Sequence, residues 1–122
     1  MTHRGDIWTM AATEAYASKP RPVAIIQDDA FDATDSVTVC PFTTTVRDAP
    51  YLRVPVVPTS GNGLREASHL MIDKITTVPR AWLGERVGRL SDEHMVKLGR
   101  NMMVFLGLAG SAGTDVRAGD ED

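Results

Sequence analysis

The amino-acid sequence predicts a mainly β protein: a small barrel with one C-terminal helix. The chain has 122 residues, 43% of them hydrophobic, which is enough for one ordinary core but not for two. Short apolar runs separated by turn residues recur along the chain, and one amphipathic stripe follows them. We therefore predict a single domain over residues 1–108 and a disordered acidic tail over residues 109–122.

The first half of the chain predicts three strands, at residues 5–10, 22–27 and 36–43. Residues 11–20 are polar and Ala-rich, and we expect a mobile loop there; residues 28–35 form an acidic, turn-rich link. Cys40, the chain's one cysteine, excludes an intramolecular disulfide and a zinc site built on several thiolates. Its apolar strand predicts a buried structural thiol.

The second half predicts three more strands. Residues 52–56 alternate, and Pro55 predicts an edge strand because proline cannot donate to a central ladder. The turn signal at residues 60–63 precedes a long strand over residues 68–78, whose alternation breaks at Ile75. One helical turn at residues 79–83 and a brief strand at residues 85–90 follow.

A helix is predicted from Ser91, its N-cap, to about Leu106, with Gly107 as the stop. Its apolar stripe contains Met95, Leu98, Met102, Phe105 and Leu106. The stripe and the neighbouring Met103 either fill the core or offer an adaptable face to a partner, and helical spacing favours the core.

The formal charge of −3 comes from the tail, which contains one basic residue, Arg117, and four acidic residues. Subtracting these from the totals of 13 basic and 16 acidic residues leaves 12 of each sign in residues 1–108. A neutral body argues against nonspecific binding of long nucleic acids, so any such role must use a local groove. Without a signal peptide or a membrane-spanning run, we expect a soluble, cytoplasmic protein.

The candidate chemistry lies at the ends of two strands. Arg21 stands between two prolines directly before the second strand, and Thr43 closes the third, followed by Thr44 and Thr45. If the two strands are neighbours, a fixed cation and a hydroxyl cluster converge, an arrangement suited to phosphate chemistry on RNA. Nearby basic residues are candidates for contacts with RNA phosphates: Lys19, Arg47 and Arg53.

Four other residues have competing interpretations. His3, His69 and His94 lack the spacing of metal ligands, so we predict no metal site, although any of them could assist proton transfer. Trp8 could stack on an unpaired base, but its apolar strand favours a core or interface position.

The order of motifs along the chain resembles the MazF/PemK toxin family over residues 4 to about 108. The motifs are Arg4-Gly5-Asp6-Ile7-Trp8, the run from Arg21 to Phe31, the run from Asp73 to Val78, Leu83-Gly84, and the run from Gly88 to Asp92. This resemblance implies an SH3-like β-barrel with a C-terminal helix, a homodimer, and a sequence-specific, metal-independent endoribonuclease without a cofactor. It also implies a MazE-like antitoxin, which we expect to be acidic near its C-terminus.

The resemblance further implies that Arg21 and Thr43 are catalytic and that cleavage of single-stranded RNA leaves a 2′,3′-cyclic phosphate and a 5′-hydroxyl. Asp73 aligns with an aspartate that one branch of the family uses, which makes it a candidate general base. That branch has an arginine where this chain has Met71, so a structural or positioning role for Asp73 stays open. The RNA sequence recognised, and the choice among mRNA, tRNA and rRNA, also stay open.

A second function is compatible with the same fold: a toxin similar to CcdB that binds DNA gyrase and cuts nothing. The fold does not separate the two classes. Arg21 and Thr43 in the stated order favour cleavage. So does the lack of a Trp-Gly-Ile-type helix end, since this helix ends in Leu106-Gly107-Leu108 followed by polar residues.

Overall fold

The computed structural model describes residues 1–11 and 19–109, which form a seven-stranded antiparallel sheet and one α-helix. The strands are β1 Asp6–Met10, β2 Arg21–Ile25, β3 Ser36–Thr43, β4 Arg53–Val56, β5 Ser68–Met71, β6 Thr76–Pro79 and β7 Leu83–Arg89. The helix α1 spans Asp92–Phe105, and 3₁₀ turns lie at Asp29–Phe31, Ile72–Lys74 and Arg80–Trp82. The predicted tail from residue 110 and most of the predicted mobile loop, residues 12–18, lie outside the described residues.

Strand β3 is the centre of the sheet. One of its edges pairs with β2, and its other edge pairs with β6 and then with β5. The remaining order is β4-β5-β3-β2-β1-β7, so β4 ends the sheet and the edge-strand prediction is confirmed. Pro55 lies in β4, where one side of the strand has no ladder to complete.

The prediction of one long strand over residues 68–78 is wrong. His69 pairs with Thr43 and Thr76 pairs with Val39, so four steps along β3 correspond to seven steps along its partner. A straight ladder cannot hold the three extra residues, and the 3₁₀ turn Ile72–Lys74 takes them out of the pairing. Ile72 itself is fully buried, which anchors this turn to the core.

Successive side chains of a strand point to opposite faces of the sheet, and both faces carry apolar side chains over part of their area. The main core lies on the helix side and includes Phe42, Leu70 and Leu98. A second cluster on the other face contains Val23, Ile25, Val37, Val39 and Val78, with Trp8, Met10, Trp82 and Leu83 packed against it. Trp8 thus has the structural position that its strand predicted.

The helix α1 begins as predicted, with the Ser91 hydroxyl accepting a hydrogen bond from the backbone N–H of His94 at 3.1 Å. The prediction that its whole stripe fills the core is correct for Met95, Leu98 and Met102 and wrong for the last turn. Phe105 and Leu106 are 46% and 56% exposed, because no described element packs over that turn.

The sheet is not closed by a ladder between β4 and β7 within the described residues. The turn predicted at residues 60–63 bridges this gap, where the backbone N–H of Arg89 donates to the carbonyl of Gly61 at 2.9 Å. Gly63 has a φ of +70°, and a Cβ there would lie 2.1 Å from the carbonyl oxygen of Val87. The architecture is therefore an open barrel-type sheet with a C-terminal helix, which is the fold class that the sequence predicted.

Two further predictions concern single features. Cys40 is fully buried, as predicted, and burial raises the pKa of its thiol to about 12, so it is an inert structural group. Across the described parts of the chain, none of the helices has both the length and the apolar character needed to cross a bilayer.

Candidate active site

The pairing of β2 with β3 brings Arg21 and Thr43 to the same place. Val23 lies opposite Pro41, and continuing each strand by two residues sets Arg21 opposite Thr43. Directly opposed residues of antiparallel strands share one face, with Cβ atoms about 4.5–5.5 Å apart. Arg21 and Thr43 therefore occupy the same face at the same end of the two strands.

The same row continues over the neighbouring strands. Thr43 is opposite His69 of β5, and His69 is opposite Pro55 of β4. On the other side, Arg21 is opposite Met10 of β1. We call Arg21, Thr43 and His69 the polar row; it crosses β2, β3 and β5 on the face of the second apolar cluster.

The two predicted catalytic side chains retain unused hydrogen-bonding capacity. The Thr43 hydroxyl oxygen accepts a bond from the backbone N–H of Thr45 at 3.1 Å, which leaves its O–H as a donor. Arg21 is exposed and forms no ion pair with a residue in ranges 1–11 and 19–109. Thr44, Thr45 and Lys19 are exposed beside them, as a nucleic-acid contact requires.

Asp73 lies in the 3₁₀ turn that separates β5 from β6, and it pairs with Arg53. The Arg53 guanidinium donates to the Asp73 carboxylate at 2.5 Å and to its neighbour's carbonyl, that of Leu52, at 2.9 Å. Burial alone would raise the pKa of Asp73, but the hydrogen bond and charge of Arg53 outweigh it and hold the pKa below its ordinary 3.8. A weakly basic, paired carboxylate fits a structural role better than that of a general base.

Arg53 is only 7% exposed, so this predicted RNA contact is turned inward. An arginine that is buried against a carboxylate has little guanidinium surface left for an RNA phosphate. Its contact with RNA stays a prediction, and the ion pair counts against it. Arg47, by contrast, is exposed on the loop after β3.

An open cleft of about 280 Å³ lies beside the polar row. Its lining residues are Arg47, Asp48, Ala49, Pro50, Arg53, Pro55, His69 and Lys97. Because Asp73 already neutralises Arg53, the cleft retains Arg47 and Lys97 against Asp48, a small positive excess that suits a phosphate backbone.

His69 is the member of the polar row that the sequence did not single out from the other histidines. Its Nδ1 is buried and has no hydrogen-bond partner among the described residues. The alternation of Ser68-His69-Leu70 placed His69 on the face opposite to the core residue Leu70, but its strand partner Thr43 is set by tertiary pairing. Within the described ranges, no group of three or more His, Cys, Asp or Glu side chains could hold a metal ion.

Comparisons with known proteins agree with this fold. The protein-family model for PemK-like, MazF-like toxins of type II toxin-antitoxin systems matches residues 3–106. A probable endoribonuclease MazF of Mycolicibacterium smegmatis is 62% identical over 107 residues, which are 88% of this chain and 98% of that protein.

Solved structures are similar as well. A mycobacterial endoribonuclease in complex with its cognate antitoxin has a TM-score of 0.73 at 25% identity, covering 88% of this chain and 97% of that one. The Mycobacterium tuberculosis toxin MazF-mt6 has a TM-score of 0.70 at 31% identity, covering 84% and 97%. The matched residues span the whole sheet, the polar row and the helix, and the chain belongs to the PemK/MazF family of toxins of type II toxin-antitoxin systems.

Proposed function

We propose that this protein is a toxin that acts in the cytoplasm as a sequence-specific, metal-independent endoribonuclease, and that it arrests growth by cutting single-stranded RNA needed for translation. The main observation in support is the register of β2 and β3, which sets Arg21 opposite Thr43 when it is extended two residues beyond the pair Val23 and Pro41. The name of the 62% identical relative, a probable endoribonuclease, supports the same activity.

The chemistry follows from what the two side chains can do. The 2′-hydroxyl of RNA attacks the adjacent phosphorus, which forms a 2′,3′-cyclic phosphate and releases a 5′-hydroxyl. Arg21 donates two hydrogen bonds to the phosphoryl oxygens and stays charged, so it stabilises the negative charge that develops on them. Thr43 positions the phosphate or the 2′-hydroxyl, because a threonine hydroxyl is too weak an acid or base to transfer the proton alone.

The test is cleavage of single-stranded RNA by the purified protein in the presence of EDTA, with cut sites mapped by sequencing 5′-hydroxyl ends. We expect Arg21→Ala and Thr43→Ala to lower the cleavage rate by roughly 10²-fold or more, the usual loss when a donor to a developing oxyanion is removed. Their far-UV circular dichroism and thermal unfolding should match those of the wild type.

The matched control is Arg65→Ala, which removes an exposed arginine outside the polar row. It should cleave as the wild type does. Unchanged cleavage in both Arg21→Ala and Thr43→Ala would overturn the assignment. Growth arrest without RNA cleavage would favour the alternative, a gyrase-binding toxin similar to CcdB.

Two partners belong to this proposal, a second copy of the chain and an antitoxin. Large apolar side chains are exposed at the end of α1: Phe105, Leu106 and Leu108, at 46%, 56% and 70%. Such side chains suit a protein interface. The solved endoribonuclease with its cognate antitoxin supports a MazE-like partner here.

We expect the antitoxin to present an acidic segment with apolar anchors to the groove around Arg21, in place of the RNA backbone. Titration of RNA into the toxin–antitoxin complex measures this competition. RNA and antitoxin that bind together with undiminished affinities would contradict it.

A further inference from the structure

We propose that His69 is a third catalytic residue, the general base that takes the proton from the attacking 2′-hydroxyl. This inference rests on the proposed ribonuclease function and names the group that the reaction needs beside Arg21 and Thr43. The observation behind it is that His69 lies directly opposite Thr43 in the polar row and lines the cleft beside it.

Position is the first argument. Paired residues of neighbouring antiparallel strands point to the same side, with Cβ atoms about 4.5–5.5 Å apart. Thr43 therefore has Arg21 on one flank and His69 on the other. A phosphate held by the first two side chains has its 2′-hydroxyl within reach of an imidazole on the far flank.

The unsatisfied ring nitrogen is the second argument. Buried side-chain polar atoms nearly always find a hydrogen-bond partner, and those that do not cost free energy. The buried Nδ1 of His69 has no partner in the described parts of the chain. An apolar, β-branched residue would suit a strand at this position without that cost, so an imidazole here points to a functional role.

Elimination of the other candidates is the third argument. Asp73 is paired with Arg53, which keeps it ionised and lowers its basicity. The Nδ1 atom of His3 lies 3.5 Å from a carboxylate oxygen of Asp29, and the His3 side chain is more than half exposed. The Nδ1 atom of His94 is hydrogen-bonded to the hydroxyl of the N-cap Ser91 at the start of α1. Neither of these two histidines belongs to the polar row.

Within residues 1–11 and 19–109, charged side chains from three elements line the cleft together with His69. They are Arg47 and Asp48 on the loop after β3, Arg53 on β4 and Lys97 on α1. Arg21 adds a further positive charge from β2, and the carboxylate of Asp73 is engaged by Arg53. This surround is mainly cationic, which suits the approach of an anionic RNA backbone to His69.

The reaction step balances as follows. The Nε2 atom of His69, rather than the buried Nδ1, takes the 2′-hydroxyl proton while the 2′-oxygen forms its bond to phosphorus. The bond from phosphorus to the 5′-oxygen breaks, and that oxygen takes a proton from water. The hydroxide that remains is neutralised by the proton on His69, which returns the imidazole to its neutral form. Arg21 stabilises the charge on the phosphoryl oxygens throughout.

The experiment compares wild type, His69→Gln and His69→Val on a single-stranded RNA that contains the site mapped for the wild type. We expect kcat/KM of both variants to fall by roughly 10²-fold, the usual contribution of a general base. The fall of kcat/KM toward acid pH in the wild type should disappear in both variants. The midpoint of thermal unfolding of His69→Val should stay the same or rise, a result that a merely structural histidine would not produce.

A modified substrate separates the two possible proton transfers. RNA with sulfur in place of the bridging 5′-oxygen releases its leaving group without protonation. If His69 is the base, the variants stay slow on this RNA. Restoration of the wild-type rate would show instead that His69 protonates the leaving oxygen, and would overturn the inference.

The matched control is His3→Gln, which should keep both the wild-type rate and the acid fall of kcat/KM. Wild-type kinetics in the two His69 variants, together with inactive Arg21→Ala, would overturn this inference alone. A wild-type protein that cuts no RNA would instead remove the proposed function on which it rests.

Discussion

Two polar clusters on the sheet show opposite states of hydrogen bonding. At one end, the carboxylate of Asp6 is 2% exposed and accepts from the backbone N–H of His3 at 3.0 Å and from the Arg86 guanidinium at 3.1 Å. The Trp8 indole donates to it at 3.4 Å, and an Arg89 nitrogen lies at 3.9 Å. At the other end, the polar row leaves a guanidinium, a hydroxyl hydrogen and a buried ring nitrogen without described partners.

This difference separates stabilising polar groups from groups available to a ligand. A buried charge with all its partners holds elements together, here the N-terminal segment, β1 and β7. Groups that lack partners contribute little to folding, but those that are exposed, such as the Arg21 guanidinium, can form new bonds when a substrate arrives. Mutations in the Asp6 cluster should therefore lower the free energy of unfolding, whereas mutations in the polar row should lower the rate of RNA cleavage.

The largest expected effect on stability comes from Asp6→Ala. It removes a carboxylate that accepts hydrogen bonds from Arg86, the backbone N–H of His3 and the Trp8 indole and forms an ion pair with Arg89, so we expect the free energy of unfolding to fall by about 3 kcal/mol. Urea denaturation measures this loss, and Asp35→Ala, an exposed carboxylate, should change stability by less than about 0.5 kcal/mol. An equal loss of unfolding free energy in Asp6→Ala and Arg21→Ala would contradict the distinction between the two clusters.

A smaller loss is expected from Asp73→Asn, which leaves the buried Arg53 facing a neutral amide. We expect about 2 kcal/mol at pH 7, because a hydrogen bond between charged groups is replaced by a weaker one. The pKa of Asp73 is lowered by folding, so its stabilisation is present above the unfolded-state value near 3.8 and is lost as pH falls through the lower folded-state value.

The measurement for this pair is the free energy of unfolding of wild type and Asp73→Asn at pH 7 and at pH 3. The gap between the two proteins should narrow at pH 3. At pH 7 the variant should cleave RNA within about tenfold of wild type. A loss comparable to that of Arg21→Ala would restore Asp73 as the general base, and would count against His69.

The smallest effect is expected from Arg47→Ala, on the exposed loop that lines the cleft. We expect RNA binding to weaken a few-fold, with no change in stability. The slope of log K against log salt concentration should fall in magnitude by about 1, the value for one lost phosphate contact. Fluorescence titration at several salt concentrations checks both values, with Arg65→Ala as the control. An unchanged salt slope would place the RNA backbone elsewhere.

Local signals in the sequence predicted most of the secondary structure. The bounds of β3, the N-cap Ser91, the stop at Gly107 and the edge position of Pro55 all follow from side-chain periodicity and backbone constraints of nearby residues. The exposure of Phe105 and Leu106 was not predictable in this way, since the stripe continues although the packing partner ends before it.

By itself, the sequence determined the fold class, the helix and all strands except the one over residues 68–78 to within a few residues, and the candidate pair Arg21 and Thr43. The tertiary structure decided the interruption of the strand over residues 68–78, the inward turn of Arg53 toward Asp73, and the place of His69 beside Thr43. The physical reason is that periodicity reports which face a residue occupies, whereas register between strands depends on distant partners. A 3₁₀ turn of three residues was enough to change which side chains meet.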